Sequence, residues 1–297
     1  MTDTIDRGYA SPSGDLPGLL TRTVTTARHE TWTGFTTELQ DIARQAFPKL
    51  QAHSNPIRIN VRNWSEPELA FLIGEYSRFA TAAVHMLFDA QIRLHSGELS
   101  LELQRNIGEE LGSQSGGIPH LELMRSGYRS ELGLDTDAVE ATALTREFID
   151  RLSAVFCSAN RSFLAGALLA FETVAVDEFR VVAAMIYRFG ELRAVTLAPE
   201  SLTARYIAGH VSLTADDDGN DPEMEHYLGM LNAVGASVEP SEYPEVARGF
   251  LAVCLELEAW WDALPTQARA AAIRSIVAQP RDALHSARCK PLRAPDA

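Results

Sequence analysis

Cysteine is scarce in this sequence, with three residues in a chain of 297. Cys157, Cys254 and Cys289 lie far apart and form no Cys-x-x-Cys motif. This spacing argues against a disulfide framework and a thiolate metal site, and it suits a reducing compartment. The first residues also lack the basic region and apolar run of a secretory leader. We therefore predict a cytoplasmic protein with reduced cysteines.

Positive charge and long hydrophobic runs are also in short supply. The 26 basic residues face 40 acidic ones, for a formal charge of −14, which would repel nucleic-acid phosphates and an anionic membrane surface. The longest nearly apolar run, from Phe163 to Val176, contains a glutamate and is shorter than the roughly 20 residues of a membrane span. We predict a small-molecule substrate and neither a nucleic-acid nor a membrane partner.

Alternating strand-type segments are nearly absent, and helical patterns take their place. Apolar residues recur at spacings of three and four through about nine segments, which proline and glycine separate. The sequence therefore predicts an all-α bundle of long helices, and its 46% apolar content is ample for a buried site. We predict a disordered tail over residues 1–17, one helical domain over 18–283 and a loose tail over 284–297.

Helical bundles build metal and cofactor sites from inward-facing carboxylates and imidazoles. In "NIGEELGSQSGGIPHLEL", Glu110 shares a helix face with Ile107, so Glu110 should point inward and Glu109 should be a solvent-side bystander. Gly112 ends this helix, and His120 enters at the start of the next one. The alternative is that an acid and a histidine merely happen to occupy two ordinary helix ends.

Glu172 is the sharpest anomaly, because it lies inside the apolar segment "GALLAFETVAV". An isolated ionised carboxylate there would cost several kcal/mol, so Glu172 should be protonated, paired or bound to a cation. A salt bridge to Arg161 or Arg180 is the structural alternative.

Two further places carry histidine on helix faces. His210 shares a face with Tyr206 and Ile207, where a hydrogen-bonded core histidine is the simpler interpretation. In "PEMEH", Glu223 and His226 lie one turn apart and could supply an oxygen and a nitrogen ligand from a single helix. Such pairs also occur on solvated helices.

The pattern of Asn106, the Glu110-Leu111-Gly112 helix end, His120 and the Leu132-Gly133 ending resembles a known family. The family comprises the haem-oxygenase-like di-metal (non-haem di-iron) oxidases and oxygenases, which are iron-containing redox enzymes. The resemblance spans roughly residues 70 to 235 and implies a haem-oxygenase-like bundle of about seven to nine helices.

The resemblance implies that Glu110, His120, Glu172 and His210 are metal ligands. The family's last motif, His-x3-Asp-x2-His, is not matched after His210. If the acidic stretch that follows is an insertion, Glu223 and His226 restore the spacing, and Asp217 is the competing carboxylate. The predicted metal ligands are therefore Glu110, His120, Glu172, His210, Glu223 and His226.

The resemblance further implies two Fe(II) ions, with manganese as the alternative metal, and O₂ as co-substrate. Members of the family oxidise amino acids, amines or fatty acids. We therefore expect an oxygenase or oxidase that acts on a small amine or amino acid by N-oxygenation, oxidative C–C cleavage or desaturation, in secondary metabolism. A homodimer is compatible with such a fold.

One alternative is a metal-free thiaminase-like or cofactor-oxidising helical enzyme, or a small-molecule binder, of the same shape. Another is a structural interaction protein, in which Glu110, Glu172 and His210 would lie apart.

Overall fold

The computed structural model describes residues 31–95, 97–138, 140–212 and 222–278. Its regular elements are helices, and these ranges contain no strand. The ten α-helices are α1 (Trp32–Ala46), α2 (Pro56–Ile59), α3 (Glu66–Leu94), α4 (Glu98–Glu110), α5 (His120–Glu131), α6 (Ala143–Phe156), α7 (Arg161–Leu192), α8 (Leu202–Ala208), α9 (Pro222–Gly235) and α10 (Tyr243–Ala278). The predicted all-α bundle is confirmed.

The short helix α2 is the element that the apolar spacing did not predict. Its four residues start at Pro56, and the side chain of Asn55 accepts hydrogen bonds from the backbone N–H groups of Ile57 and Arg58. A capping residue before a proline forms one helical turn without any apolar repeat. The predicted tails, 1–17 and 284–297, lie outside the described residues, and the single domain stays a prediction.

The long helices α7 and α10 pack closely against each other at two glycines. A Cβ atom on Gly166 would overlap the carbonyl oxygen of Val246, and one on Gly249 would overlap that of Phe163. The side chain of Asn160 starts α7 by accepting hydrogen bonds from two backbone N–H groups. This close crossing fixes α7, the helix that carries Glu172.

An aromatic core holds α3, α6 and α10 together. The rings of Phe148 and Trp260 are stacked with centroids 4.7 Å apart, and Phe79 meets Phe148 edge-on at 5.1 Å. The indole N–H of Trp260 donates to Thr145 Oγ1 at 3.0 Å. Helix α7 also packs against α3 and α9, and α4 packs against both of those helices. These four helices enclose the space in which the polar side chains meet.

None of the helices in the described ranges has an apolar stretch long enough to cross a bilayer.

Candidate metal centre

The first group of potential ligands comprises Glu110, His120 and His210. Each offers one ligand atom, and these atoms lie within 4.8 Å of one another. Glu110 is the last residue of α4, His120 is the first of α5, and His210 follows α8. Gly112 adopts a positive φ of 99°, and a Cβ atom there would lie 2.6 Å from the Ile118 backbone. The turn between α4 and α5 therefore closes tightly enough to bring Glu110 and His120 together.

The packing of α5 against α8 brings the two histidine rings together. A Cβ atom on Gly127 would lie 2.6 Å from Thr203 Oγ1, so these helices need a glycine where they touch. The Glu131 carboxylate, at the end of α5, accepts hydrogen bonds from the first backbone N–H groups of α8. As a result, the rings of His120 and His210 meet edge-on with centroids 4.6 Å apart.

The second group comprises Glu172, Glu223 and His226, all buried, whose ligand atoms also lie within 4.8 Å of one another. His226 Nδ1 is 3.9 Å from Glu172 Oε2 and 3.8 Å from Glu223 Oε2. The side-chain amide of Asn106 donates to Glu172 Oε1 at 3.0 Å. Three helices, α4, α7 and α9, therefore meet at Glu172.

Glu223 links the two groups, because its Oε1 lies 2.6 Å from His210 Nδ1. All six predicted side chains consequently lie in one connected cluster. In a purely structural interaction protein, Glu110, Glu172 and His210 were expected to lie apart. The salt-bridge alternative for Glu172 is not what the structure has. Arg180 pairs with Asp177 at 3.7 Å, and the guanidinium of Arg161 lies beside Gly97.

Burial controls the charges of these groups. It raises the pKa of Glu172 to about 8 and lowers the pKa of His210 to about 3. Burial also opposes ionisation of Glu110, but the His120 ring and the neighbouring histidines outweigh it and lower the pKa of Glu110. The same balance holds at His226, where burial favours the neutral form but Glu223 and Glu172 outweigh it and raise the pKa. At neutral pH the centre therefore offers a neutral imidazole at His210 beside an ionised carboxylate at Glu110.

Two buried ring nitrogens, His120 Nδ1 and His210 Nε2, make no hydrogen bond of normal length within the described ranges, and His120 Nδ1 lies 3.5 Å from Glu110 Oε1. An ionised Glu223 would accept the proton of His210 Nδ1 at 2.6 Å, which would leave a lone pair on Nε2. An orphaned buried nitrogen costs about 1–3 kcal/mol. Both nitrogens belong to the first group, so a cation there would satisfy them, and the carboxylates and imidazoles of both groups suit Fe(II) or Mn(II). The residues thus fit a pair of divalent metal ions.

Glu109 is not the solvent-side bystander that the helix periodicity predicted. Its carboxylate is buried, with Oε2 2.5 Å from His226 Nε2 and Oε1 2.6 Å from Arg105 Nη1. Arg105 also pairs with Glu102. Gly229, on α9, makes room for this pair, since a Cβ atom there would overlap the Glu102 carboxylate. The prediction was wrong because α4 is buried on two flanks, one facing α3 and the other facing α9.

The competing carboxylate Asp217 lies outside the described residues. Glu223 is therefore the carboxylate that the structure places beside His226, and the choice between the two as a ligand stays a prediction.

A cavity of about 70 Å³ opens beside the six side chains. Because one water molecule needs about 10–15 Å³ of such volume, the cavity has room for several waters or a small ligand. Its walls include the aromatic rings of Tyr76, Phe79, Phe171, Phe179 and Tyr206. The ring of Phe179 stacks on His210 with centroids 3.8 Å apart.

Glu178 also lines the cavity, and sequence reasoning overlooked it. It sits in "VAVDEFR", where the neighbouring Asp177 and Arg180 make the segment look solvated. Its position was nevertheless readable, because Phe171, Ala175 and Glu178 recur at spacings of four and three on one helix face.

Comparison with known proteins places the chain in a family and shows its fold. The family model of a domain of unknown function with a solved structure, DUF3865, matches residues 33–267. Among the curated proteins there is no match.

Two crystal structures of a CADD-like protein of unknown function from Nostoc punctiforme PCC 73102 resemble this chain. One has a TM-score of 0.67 with 22% identity and covers 80% of this chain and 95% of that chain. The other has a TM-score of 0.68 with 24% identity and covers 80% of this chain and 98% of that chain. At these identities the likeness shows a shared helical fold.

Proposed function

We propose that this chain, which belongs to the DUF3865 family, is an O₂-dependent non-haem di-iron oxidoreductase acting on a small amine or amino acid. The observation that carries the proposal is the paired arrangement of ligand atoms. Glu110, His120 and His210 form one group, Glu172, Glu223 and His226 form the other, and each group is compact enough to hold a cation. A bundle with a merely structural polar core would not leave two imidazole nitrogens orphaned beside carboxylates.

In this proposal each group holds one metal ion, and Glu223 lies between the groups. Two ferrous ions would supply the electrons that activate O₂, chemistry that side chains alone do not perform. The protein provides the surroundings. Asn106 orients Glu172 through its amide, and Glu223 fixes the His210 tautomer that leaves Nε2 free to bind. The aromatic walls exclude bulk water from the space in which substrate would lie.

Metal analysis distinguishes this function from that of a metal-free thiaminase-like enzyme or binder. The protein is loaded anaerobically with ferrous ion, desalted and analysed for iron, alongside the variants Glu172→Ala and Glu225→Ala. Glu225 is the matched control, because it lies on α9 between Glu223 and His226 but is exposed. We expect about two irons per chain in the wild type and in Glu225→Ala, and a clear loss in Glu172→Ala. Fewer than about one iron per chain in the wild type, with no loss in Glu172→Ala, would refute the di-iron proposal.

A second measurement tests the reaction class. The iron-loaded protein is mixed with O₂ in a stopped-flow instrument, with and without a panel of amines and amino acids. We expect transient absorbance that depends on the added compound, accompanied by consumption of O₂. O₂ consumption that is the same with every compound and with none would contradict a substrate-directed oxidation.

A further inference from the structure

Among the described residues, Glu178 is the carboxyl group of the cavity wall that belongs to neither ligand group. It lies on the same face of α7 as Phe171 and Ala175, six residues beyond Glu172, and its side chain is buried. The six ligand candidates do not account for it. A buried carboxyl group at this place therefore needs its own physical explanation.

The contacts of Glu178 include two neutral donors. The Tyr76 hydroxyl donates to Glu178 Oε1 at 3.3 Å, and the Trp261 side chain supplies a further hydrogen bond. Lysine and arginine are absent from the described residues that line the cavity. Burial accordingly raises the pKa of Glu178 to about 8. The two donors hold the carboxyl group in place without neutralising a charge on it.

Aromatic rings surround the space in front of this carboxyl group. Tyr76 and Phe179 meet edge-on with centroids 6.3 Å apart, and Phe179 meets Tyr206 at 6.1 Å. Ring faces attract cations, and an ammonium group near a carboxylate gains charge-assisted hydrogen bonds. Beside Glu178, an anion would meet aromatic rings and another acid. The wall is therefore complementary to a positive charge attached to an apolar body.

We propose that Glu178 binds the cationic nitrogen of the substrate, so that the cavity selects a primary alkylamine over the alcohol or carboxylate of the same shape. The identification of the bound amine as the substrate rests on the proposed function. Binding itself requires neither iron nor O₂. Binding of the ammonium group releases the proton that the buried Glu178 carboxyl group otherwise carries below a pKa of about 8, and Tyr76 and Trp261 act as positioning residues that hold the resulting carboxylate towards the amine.

Isothermal titration of the full-length, metal-free protein tests the proposal with n-pentylamine, n-pentanol and n-pentanoate. We expect the amine to bind at least about tenfold more tightly than either analogue, as a charge-assisted hydrogen bond would give. Glu178→Gln should abolish this preference. Glu258→Gln is the matched control, because Glu258 is a partly buried carboxyl group that lies against Lys49 and does not line the cavity.

Two further variants keep the test decisive. Glu178→Asp retains the charge and should retain the preference for the amine with weaker binding, and Glu172→Gln tests the competing position, in which the amine lies at the ligand groups. Equal binding of amine and alcohol to the wild type, or a preference that survives in Glu178→Gln, would overturn the proposal. A preference that disappears in Glu172→Gln instead would place the amine at the ligand groups and overturn it too. Failure of iron loading would leave these titrations unaffected, so the two proposals fail separately.

Discussion

The contact between Glu109 and His226 leads to a prediction about metal affinity. In the neutral imidazole that a metal requires, the Glu109 carboxylate would accept the proton of His226 Nε2, and the lone pair of Nδ1 would face Glu172 and Glu223. Glu109 thereby selects the tautomer and the orientation of the ring, and it makes the imidazole a stronger donor to a metal. Removing the carboxylate should weaken metal binding even though Glu109 does not itself belong to either ligand group.

The size of the effect follows from what each variant retains. Loss of the hydrogen-bond partner of a ligating histidine lowers metal affinity by about 10- to 100-fold, or about 1.4–2.7 kcal/mol. Glu109→Gln keeps an acceptor oxygen and loses the charge, so we expect about tenfold. Glu109→Ala loses both and leaves a buried N–H without a partner, so we expect about 100-fold. Titration with Mn²⁺, following the free ion by electron paramagnetic resonance, measures the affinity without any enzymatic activity.

Glu98→Gln is the control, because Glu98 is an exposed glutamate at the other end of the same helix. It should bind Mn²⁺ like the wild type. Circular dichroism should show unchanged helix content in all three variants. If Glu109→Ala folds and binds Mn²⁺ within about twofold of the wild type, the reasoning about His226 is refuted.

Three other predictions concern stability. Gly229→Ala should displace the flexible Glu102 side chain, and a gain of about 1 kcal/mol in helix propensity offsets the cost. We therefore expect the free energy of unfolding, measured by urea titration, to change by less than about 1 kcal/mol. A much larger loss would show that the Glu102 side chain cannot move aside. Gly249→Ala meets the rigid backbone of Phe163 and should cost about 3 kcal/mol or more, measured in the same assay. Glu178 has a pKa of about 8 in the folded protein and of 4.5 in the unfolded chain. Between these two pH values the folded protein therefore holds a proton on Glu178 that the unfolded chain has released. The metal-free wild type should therefore lose up to about 1.4 kcal/mol of stability per pH unit relative to Glu178→Gln as pH rises through this window; parallel pH profiles would contradict it.

The bundle could be predicted because it depends on short-range apolar patterns, whereas the set of six ligands came from the resemblance to a known family. Apolar spacing marks a helix whatever its partners are, and Glu172 stood out because the segment around it is almost entirely apolar. The double glutamate at the end of α4 shows the limit. Counting along one helix assigns a single inward face, whereas the side of Glu109 depends on where α9 lies, and α9 is more than a hundred residues away in sequence.

Glu178 was overlooked for a related reason. Local composition around Asp177 and Arg180 is that of a solvated helix face, and those two residues do pair with each other in the structure. The spacing of Phe171, Ala175 and Glu178 gives the helix face of Glu178, but its partners, Tyr76 from α3 and Trp261 from α10, have positions that no local pattern encodes. Pairwise packing of distant helices is therefore the information that the sequence pattern lacked.

Glu172 and Glu178 lie on one unbroken helix, α7, whose position the glycine crossing with α10 fixes. Their spacing of six residues corresponds to about 9 Å along the helix axis, and movement of the surrounding loops does not change it. If one end of a substrate lies at Glu178 and its reacting atom lies near Glu172, the helix itself sets the preferred length of the carbon chain. Chain-length selectivity would then survive substitutions in the loops, while substitution of Phe79 or Tyr206 would alter only the tolerated width of the substrate.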